Sequence, residues 1–315
     1  MTESAGGMVA LRLPYRAPCD IDGLVRFFAA RAVGGVEELA GGVYRRSLRL
    51  PGGPGVVALR AGDAGDDDVE ARFWLQDRGD LELAVTACRR LLDLDTDPAP
   101  IVDALGTDEL IGSIVRAAPG RRVPGVVEPN ELAVRAVLGQ QVSLAGAATL
   151  AARLVDAYGE PIEHPVGAVT HLFPSAAALA GADPERLAMP GSRRRALIGL
   201  AEALASGHVA LEGAMPAQEA QRRLLALPGI GPWTVAYVAM RALGDPDAFM
   251  PTDLGVRHAL EQLGCDGSPA EADRLAERWR PYRAYATQHL WAQLAPPARR
   301  RQPHAAGKLT VLRPR

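Results

Sequence analysis

The chain has 315 residues, 48% of them hydrophobic and 23% charged, with a formal net charge of −2. That length supports two or three packed units, and the balance excludes a disordered chain. No apolar run reaches the roughly 18 residues a membrane span needs, and Cys19, Cys88 and Cys265 are too scattered for a disulfide framework or a zinc site. The N-terminus MTESAGGMVA lacks a basic segment followed by an apolar core, which predicts a cytoplasmic protein.

Residues 8–14 read as a strand and 21–32 as a helix starting at Asp20 or Asp22. Strand patterns follow at 42–50, 55–60 and 69–75, broken by the Pro51-Gly52-Gly53-Pro54 turn and an acidic GDAGDDD loop. With a helix at 81–92, residues 1–97 form an α+β domain carrying an antiparallel sheet. Taken by itself, Phe27 is a core residue on an apolar helix face.

After residue 97 the strand signals stop. Helical spacing covers 101–117 and a long run from 130 to 158, in which Gly139-Gln140-Gln141 interrupts the apolar face with two amides. Short helices at 175–182 and 184–188 and a longer one at 192–206 precede 217–227 and 233–243. Helices at 253–263 and 269–294, the latter split by Pro281, complete an all-α half. Two helical subdomains are expected, 98–121 with 246–295, and 122–245. Residues 296–315 form a basic tail with five arginines, Lys308 and no acid.

Helices 217–227 and 233–243 are separated only by Pro228-Gly229-Ile230-Gly231 and Pro232, a proline suited to the first helical position. Two readings fit: the glycines serve a sharp corner, or they open backbone amides at a helix N-terminus to an anion such as a nucleic-acid phosphate. Trp233 and Tyr237 lie one turn apart and share a face. Asp253 begins a helix, where unpaired amides and the macrodipole favour a carboxylate; Thr252 can cap that helix, and Asp245 and Asp247 are alternative acids. Lys308 is the only lysine, so almost no side chain can form an imine.

LPGIGPWTV followed by FMPTD resembles the helix-hairpin-helix base-excision DNA glycosylases. LPYRAP, FFAARAVGGVEEL, YRRSL, VLGQQVS and RWRPYRAYATQHLW extend the resemblance to the bacterial DNA-3-methyladenine glycosylase II family over most of residues 11–294. That resemblance implies that Asp253 is catalytic, opposing the cation that develops on the sugar, and that Trp233, Tyr237, Trp291 and Phe27 line a pocket for a flipped, alkylated base. It implies DNA contacts at Gly229, Ile230, Gly231, Thr234, Gln140 and Gln141. Gln141 stands where the family inserts a residue into the emptied stack, although an apolar wedge is the commoner choice.

The resemblance further implies Na+ or K+ on the carbonyls of Leu225, Leu227 and Ile230, no required cofactor, and a monomer acting on duplex DNA away from membranes. In relatives that also cut the backbone a lysine replaces the residue at Trp233; here hydrolysis alone is expected. The rivals are a catalytically silent hairpin protein that grips phosphate and a glycosylase for a neutral deaminated or oxidised base.

Overall fold

The computed structural model describes residues 7–294, apart from Ala64 and Ala188; the basic tail and Lys308 lie outside the described residues. Its N-terminal unit holds strands β1 (Val9–Pro14), β2 (Glu37–Ala40), β3 (Val43–Leu50), β4 (Gly53–Ala61) and β5 (Asp68–Leu75). They form an antiparallel sheet in the order β1-β5-β4-β3-β2. Alternation puts Tyr44, Leu48, Val57, Leu59, Val69, Ala71 and Phe73 on one face, where α1 (Ile21–Ala29) and α2 (Leu81–Leu91) cover them. Asp20 caps α1 by accepting from the Gly23 amide at 2.8 Å.

The second unit is helical, as the sequence predicts, with α3 (Ala99–Leu105), α4 (Gly112–Ala117), α5 (Pro129–Leu138), α6 (Leu144–Tyr158), α7 (Ala176–Ala180) and α8 (Gly191–Ala205). After these come α9 (Ala217–Leu225), α10 (Pro232–Arg241), α11 (Leu254–Gln262), α12 (Pro269–Ala276) and α13 (Arg283–Gln293). Two apolar clusters meet along α10. Val235 and Val238 face α5, α6 and α8, whereas Ala239 and Met240 face α3, α4, α11 and α13. Tyr237 packs against both clusters, which places it at the cleft between them.

Three expectations are corrected. The helix expected at 101–117 is two helices, because Asp108 accepts from the Leu110 and Ile111 amides and starts a new turn. The run from 130 to 158 divides at Gly139 into α5 and α6. Strand pairing also returns after residue 97, as a hairpin of β6 (Glu160–Val166) and β7 (Val169–Leu172). Two prolines and three charged or titratable residues hide β6 from pattern reading; Ile162, Val169 and Leu172 bury against Val56 on the outer face of the larger sheet.

One buried group makes this fold sensitive to acid. His289 on α13 is 2% exposed and its Nδ1 has no partner among the described residues, so burial, with Arg121 adding to it, lowers its pKa from 6.5 to about 3. The unfolded chain binds a proton below 6.5 that the fold refuses until about 3. Stability is therefore full above 6.5 and is lost as pH falls through that window, at up to about 1.4 kcal/mol per pH unit. His289→Leu should flatten the decline of unfolding free energy between about pH 6 and pH 4, measured by denaturant titration. An unchanged slope would assign the acid sensitivity to other groups.

Candidate active site

Asp253 stands at the centre of the cleft because three donors converge on it. Its Oδ1 accepts from the Val256 amide at 2.9 Å and from Trp291 Nε1 at 2.8 Å, while Oδ2 accepts from Trp233 Nε1 at 2.9 Å. Asp253 is thus the N-cap of α11 itself, correcting the expectation that Thr252 caps it. The alternative acids are engaged elsewhere. Asp247 pairs with Arg280 and, at 2.8 Å, with Arg283, and Asp245 accepts from the Asp247 amide at 2.9 Å.

The four aromatic residues named from the sequence come together around that carboxylate. Trp233 stacks on Tyr237 with ring centroids 5.1 Å apart and planes 8° from parallel. Phe27, supplied by α1 of the N-terminal unit, stacks on Trp291 at 6.5 Å and 18°. Tyr237 and Trp291 approach at 6.5 Å with a 48° tilt, so the two stacks converge. All four rings are half-buried, which leaves faces open to the cleft.

Two arginines that the sequence reading did not single out close the far side. The Arg31 guanidinium lies 3.7 Å from the Phe27 ring centroid, and that of Arg241 lies 4.9 Å from the same ring and 5.5 Å from Tyr237. Arg241 donates to the Tyr237 hydroxyl at 2.7 Å and to the carbonyls of Pro124 and Gly125 at 2.8 and 3.0 Å. Burial opposes ionisation of the Tyr237 phenol, but Arg241 and Arg31 outweigh it and lower its pKa. Burial lowers Arg31 to about 10, still charged at neutral pH.

The hairpin between α9 and α10 is built for close approach. Gly229 has φ +82°, and a Cβ there would lie 2.6 Å from the Ala196 side chain on α8, so only glycine fits. Gly229 and Gly231 are accessible, and among the described residues their amides have no backbone acceptor. Ile230, by contrast, is a core residue, so its side chain cannot reach DNA and only its backbone remains for contact.

The Thr234 side chain is buried, whereas Gln140 is half-buried beside it. Thr234 is 3% exposed, and Gln140 Nε2 donates to its hydroxyl at 3.2 Å and to the Gly229 carbonyl at 3.1 Å. These side chains brace the hairpin against the turn between α5 and α6. Arg193 extends the brace by donating to the Gln140 carbonyl at 2.5 Å. Gln141 is different: it is exposed at φ +57°, with Val142 and Leu144 exposed beside it. Holding a non-glycine residue there costs on the order of 1 kcal/mol.

The carbonyls of Leu225, Leu227 and Ile230 end α9 and enter the hairpin. Among the described residues, those of Leu225 and Ile230 accept no main-chain hydrogen bond, and that of Leu227 accepts one, from the Ile230 amide at 3.1 Å. Each retains a lone pair, and that of Leu225 lies at the negative end of α9. Neutral oxygens of this kind suit a monovalent cation.

A helical cleft with a phosphate-ready hairpin, a carboxylate at a helix start and aromatic walls defines a helix-hairpin-helix base-excision protein. Two family models match: AlkA N-terminal domain over residues 10–128 and HhH-GPD superfamily base excision DNA repair protein over residues 134–283. DNA-3-methyladenine glycosylase 2 of Escherichia coli is 37% identical over 292 residues, 89% of this chain and 95% of that one. The probable bifunctional transcriptional activator/DNA repair enzyme AlkA of Mycobacterium tuberculosis is 49% identical over 294 residues. That match covers 93% of this chain, which spans 59% of the mycobacterial protein's length. The solved 3-methyladenine DNA-glycosylase from Archaeoglobus fulgidus superposes with a TM-score of 0.74 at 22% identity, over 90% of this chain and 97% of that one. The chain belongs to the AlkA family of HhH-GPD DNA glycosylases.

Gly255, the second residue of α11, gives this site a stability test. A Cβ there would sit 2.9 Å from Trp291 Cδ1 and 3.0 Å from Asp253 Oδ1. Alanine in an ordinary helix position gains about 1 kcal/mol over glycine. Here the clash should reverse that sign, and Gly255→Ala should lower the unfolding free energy by about 1–3 kcal/mol in urea. A rise in stability would show that the indole is not held against the carboxylate.

Proposed function

We propose that the chain is a monofunctional DNA glycosylase that extrudes alkylated purines from duplex DNA and hydrolyses their glycosidic bonds. The observation that carries this reading is the joint anchoring of Trp233 and Trp291 on Asp253, which couples a base-stacking wall to a carboxylate. Hairpin amides at Gly229 and Gly231 grip a phosphate, and the strained turn at Gln141 fills the space left by the extruded base. Duplex DNA is the partner, bound as a monomer.

Chemically, a water oxygen bonds to C1′ as the C1′–N bond breaks, and the electron pair of that bond leaves with the base. A cationic alkylated purine departs neutral, and the surplus proton of the water passes to solvent. Asp253 opposes the positive charge that grows on the sugar. The carbonyls of Leu225, Leu227 and Ile230 would hold Na+ or K+, which when bound adds positive charge at the phosphate-gripping turn. No further cofactor is required by this step.

Asp253→Asn should lower single-turnover release of 3-methyladenine by about 10²- to 10³-fold while duplex binding persists. Three donors face the carboxylate, and an amide offers only one acceptor atom, so one indole N–H loses its partner. A stability loss of about 1–3 kcal/mol should accompany the rate loss, more than a cap substitution alone would give. Turnover within a few-fold of the unaltered chain would move catalysis to another residue. A second check is borohydride treatment during turnover on a methylated duplex. With Lys308 as the only lysine, no covalent protein–DNA adduct should accumulate. Efficient trapping that survives Lys308→Ala would end the monofunctional reading.

A further inference from the structure

The two arginines at the seam between sheet and helices have buried anions beside them. Arg46 and Arg135 share Glu37 and Glu131 at distances of 2.7 to 3.4 Å. Arg31, Arg122 and Arg241 differ: among the described residues none has a carboxylate within 4.0 Å, and of the three Arg31 and Arg241 lie against pocket rings whereas Arg122 donates to the Arg16 and Pro18 carbonyls. Arg31 donates to the Phe27 carbonyl at 3.1 Å, and Arg241 donates to two carbonyls and the Tyr237 hydroxyl. A buried charge without a counterion is costly. Both of these lie against rings of the aromatic pocket, one behind Phe27 and one between Phe27 and Tyr237.

We propose that Arg31 and Arg241 determine the charge preference of the pocket, opposing positive charge on a seated base and favouring a base that gains negative charge as it leaves. The inference rests on the glycosylase reading above. As the C1′–N bond breaks, its electron pair moves onto the base and toward the two guanidiniums. A cationic base starts against their repulsion and leaves neutral. A neutral base acquires negative charge in the transition state, which the pair stabilises, and finally takes its proton from the attacking water. The Tyr237 hydroxyl accepts from Arg241, which frees its own O–H to donate into the pocket and strengthens that donor. Electron-rich rings alone would favour the cation; the guanidiniums behind them offset that preference.

The test compares single-turnover excision from two matched duplexes, one with a single neutral hypoxanthine and one with a single cationic 7-methylguanine. Arg31→Met removes the charge and keeps an apolar stem against Phe27. It should slow hypoxanthine release at least about tenfold more than 7-methylguanine release. Arg31→Lys, which restores a cation, should return the ratio toward that of the unaltered chain. Arg31→Gln provides a second neutral variant, should Arg31→Met fail to fold, and should behave like it. Equal losses on both duplexes, or an unchanged ratio, would overturn the inference and leave Arg31 a packing residue. Release of 7-methylguanine alone by the unaltered chain would also overturn it while sparing the glycosylase reading. Release of neither base would remove that reading and this inference with it.

Discussion

The pocket depends on a buried quartet of charges at the seam between the sheet and the helices. Arg46 of β3 reaches Glu131 of α5 at 2.7 Å, and Arg135 of α5 reaches Glu37 of β2 at 2.9 Å, with Tyr44 donating to Glu37 at 2.5 Å. Burial works against the charge on Glu37, but Arg135 and Arg46 hold its pKa below the ordinary carboxylate value. Removing one member of such a set strands its partners, at a cost of about 3–5 kcal/mol. Nearby Glu128 shows what happens with weaker pairing. Burial, reinforced by Glu131, pushes it up to about 7 although Arg49 lies 3.6 Å away.

The seam matters to function because it fixes where α1 ends. Arg135 Nη2 donates to the Arg31 carbonyl at 2.6 Å, tying the segment that carries Phe27 and Arg31 to the helical unit. Without that tether the pocket has only the wall formed by α10 and α13. The N-terminal sheet therefore contributes to the site through one helix and one guanidinium, and its remaining bulk holds that helix in register. The hairpin of β6 and β7 adds a second clamp, with the Gly35 carbonyl accepting from Thr170 and His171 at 2.7 and 2.9 Å.

Much of this was legible in the sequence where periodicity and punctuation agreed. Strand-forming runs bounded by turn residues at 42–50, 55–60 and 69–75 gave the sheet, and Pro-Gly-Ile-Gly between two apolar repeats gave the hairpin. Side-chain direction at short polar residues was not legible. Thr234 and Gln140 carry groups that could face DNA or each other, and only packing on α5 and α8 decides that they meet each other. The quartet was hidden for a related reason, since Arg46 occupies an inward position between Tyr44 and Leu48 and its partner Glu131 is distant in the chain. Arg31 and Arg241 did leave a signal. Each follows a pocket aromatic by four residues, Phe27 and Tyr237, the spacing that places two side chains on one face.

Those two spacings have a common consequence. From Asp253 one line of contacts runs through Trp291 and Phe27 to Arg31, and a second runs through Trp233 and Tyr237 to Arg241. Each begins at an anion, passes through two stacked rings and ends at a cation that has no carboxylate within 4.0 Å among the described residues. The aromatic pairs separate charges that would otherwise collapse into an ion pair, and they exclude the water that would screen them. A field directed between the two ends is thus built into the folded chain before any substrate arrives. Fixed dipoles and charges of this kind need no reorganisation when a bond polarises along them. The cost appears as two guanidiniums that have no carboxylate within 4.0 Å among the described residues, which the quartet and the carbonyls of Pro124 and Gly125 hold in place.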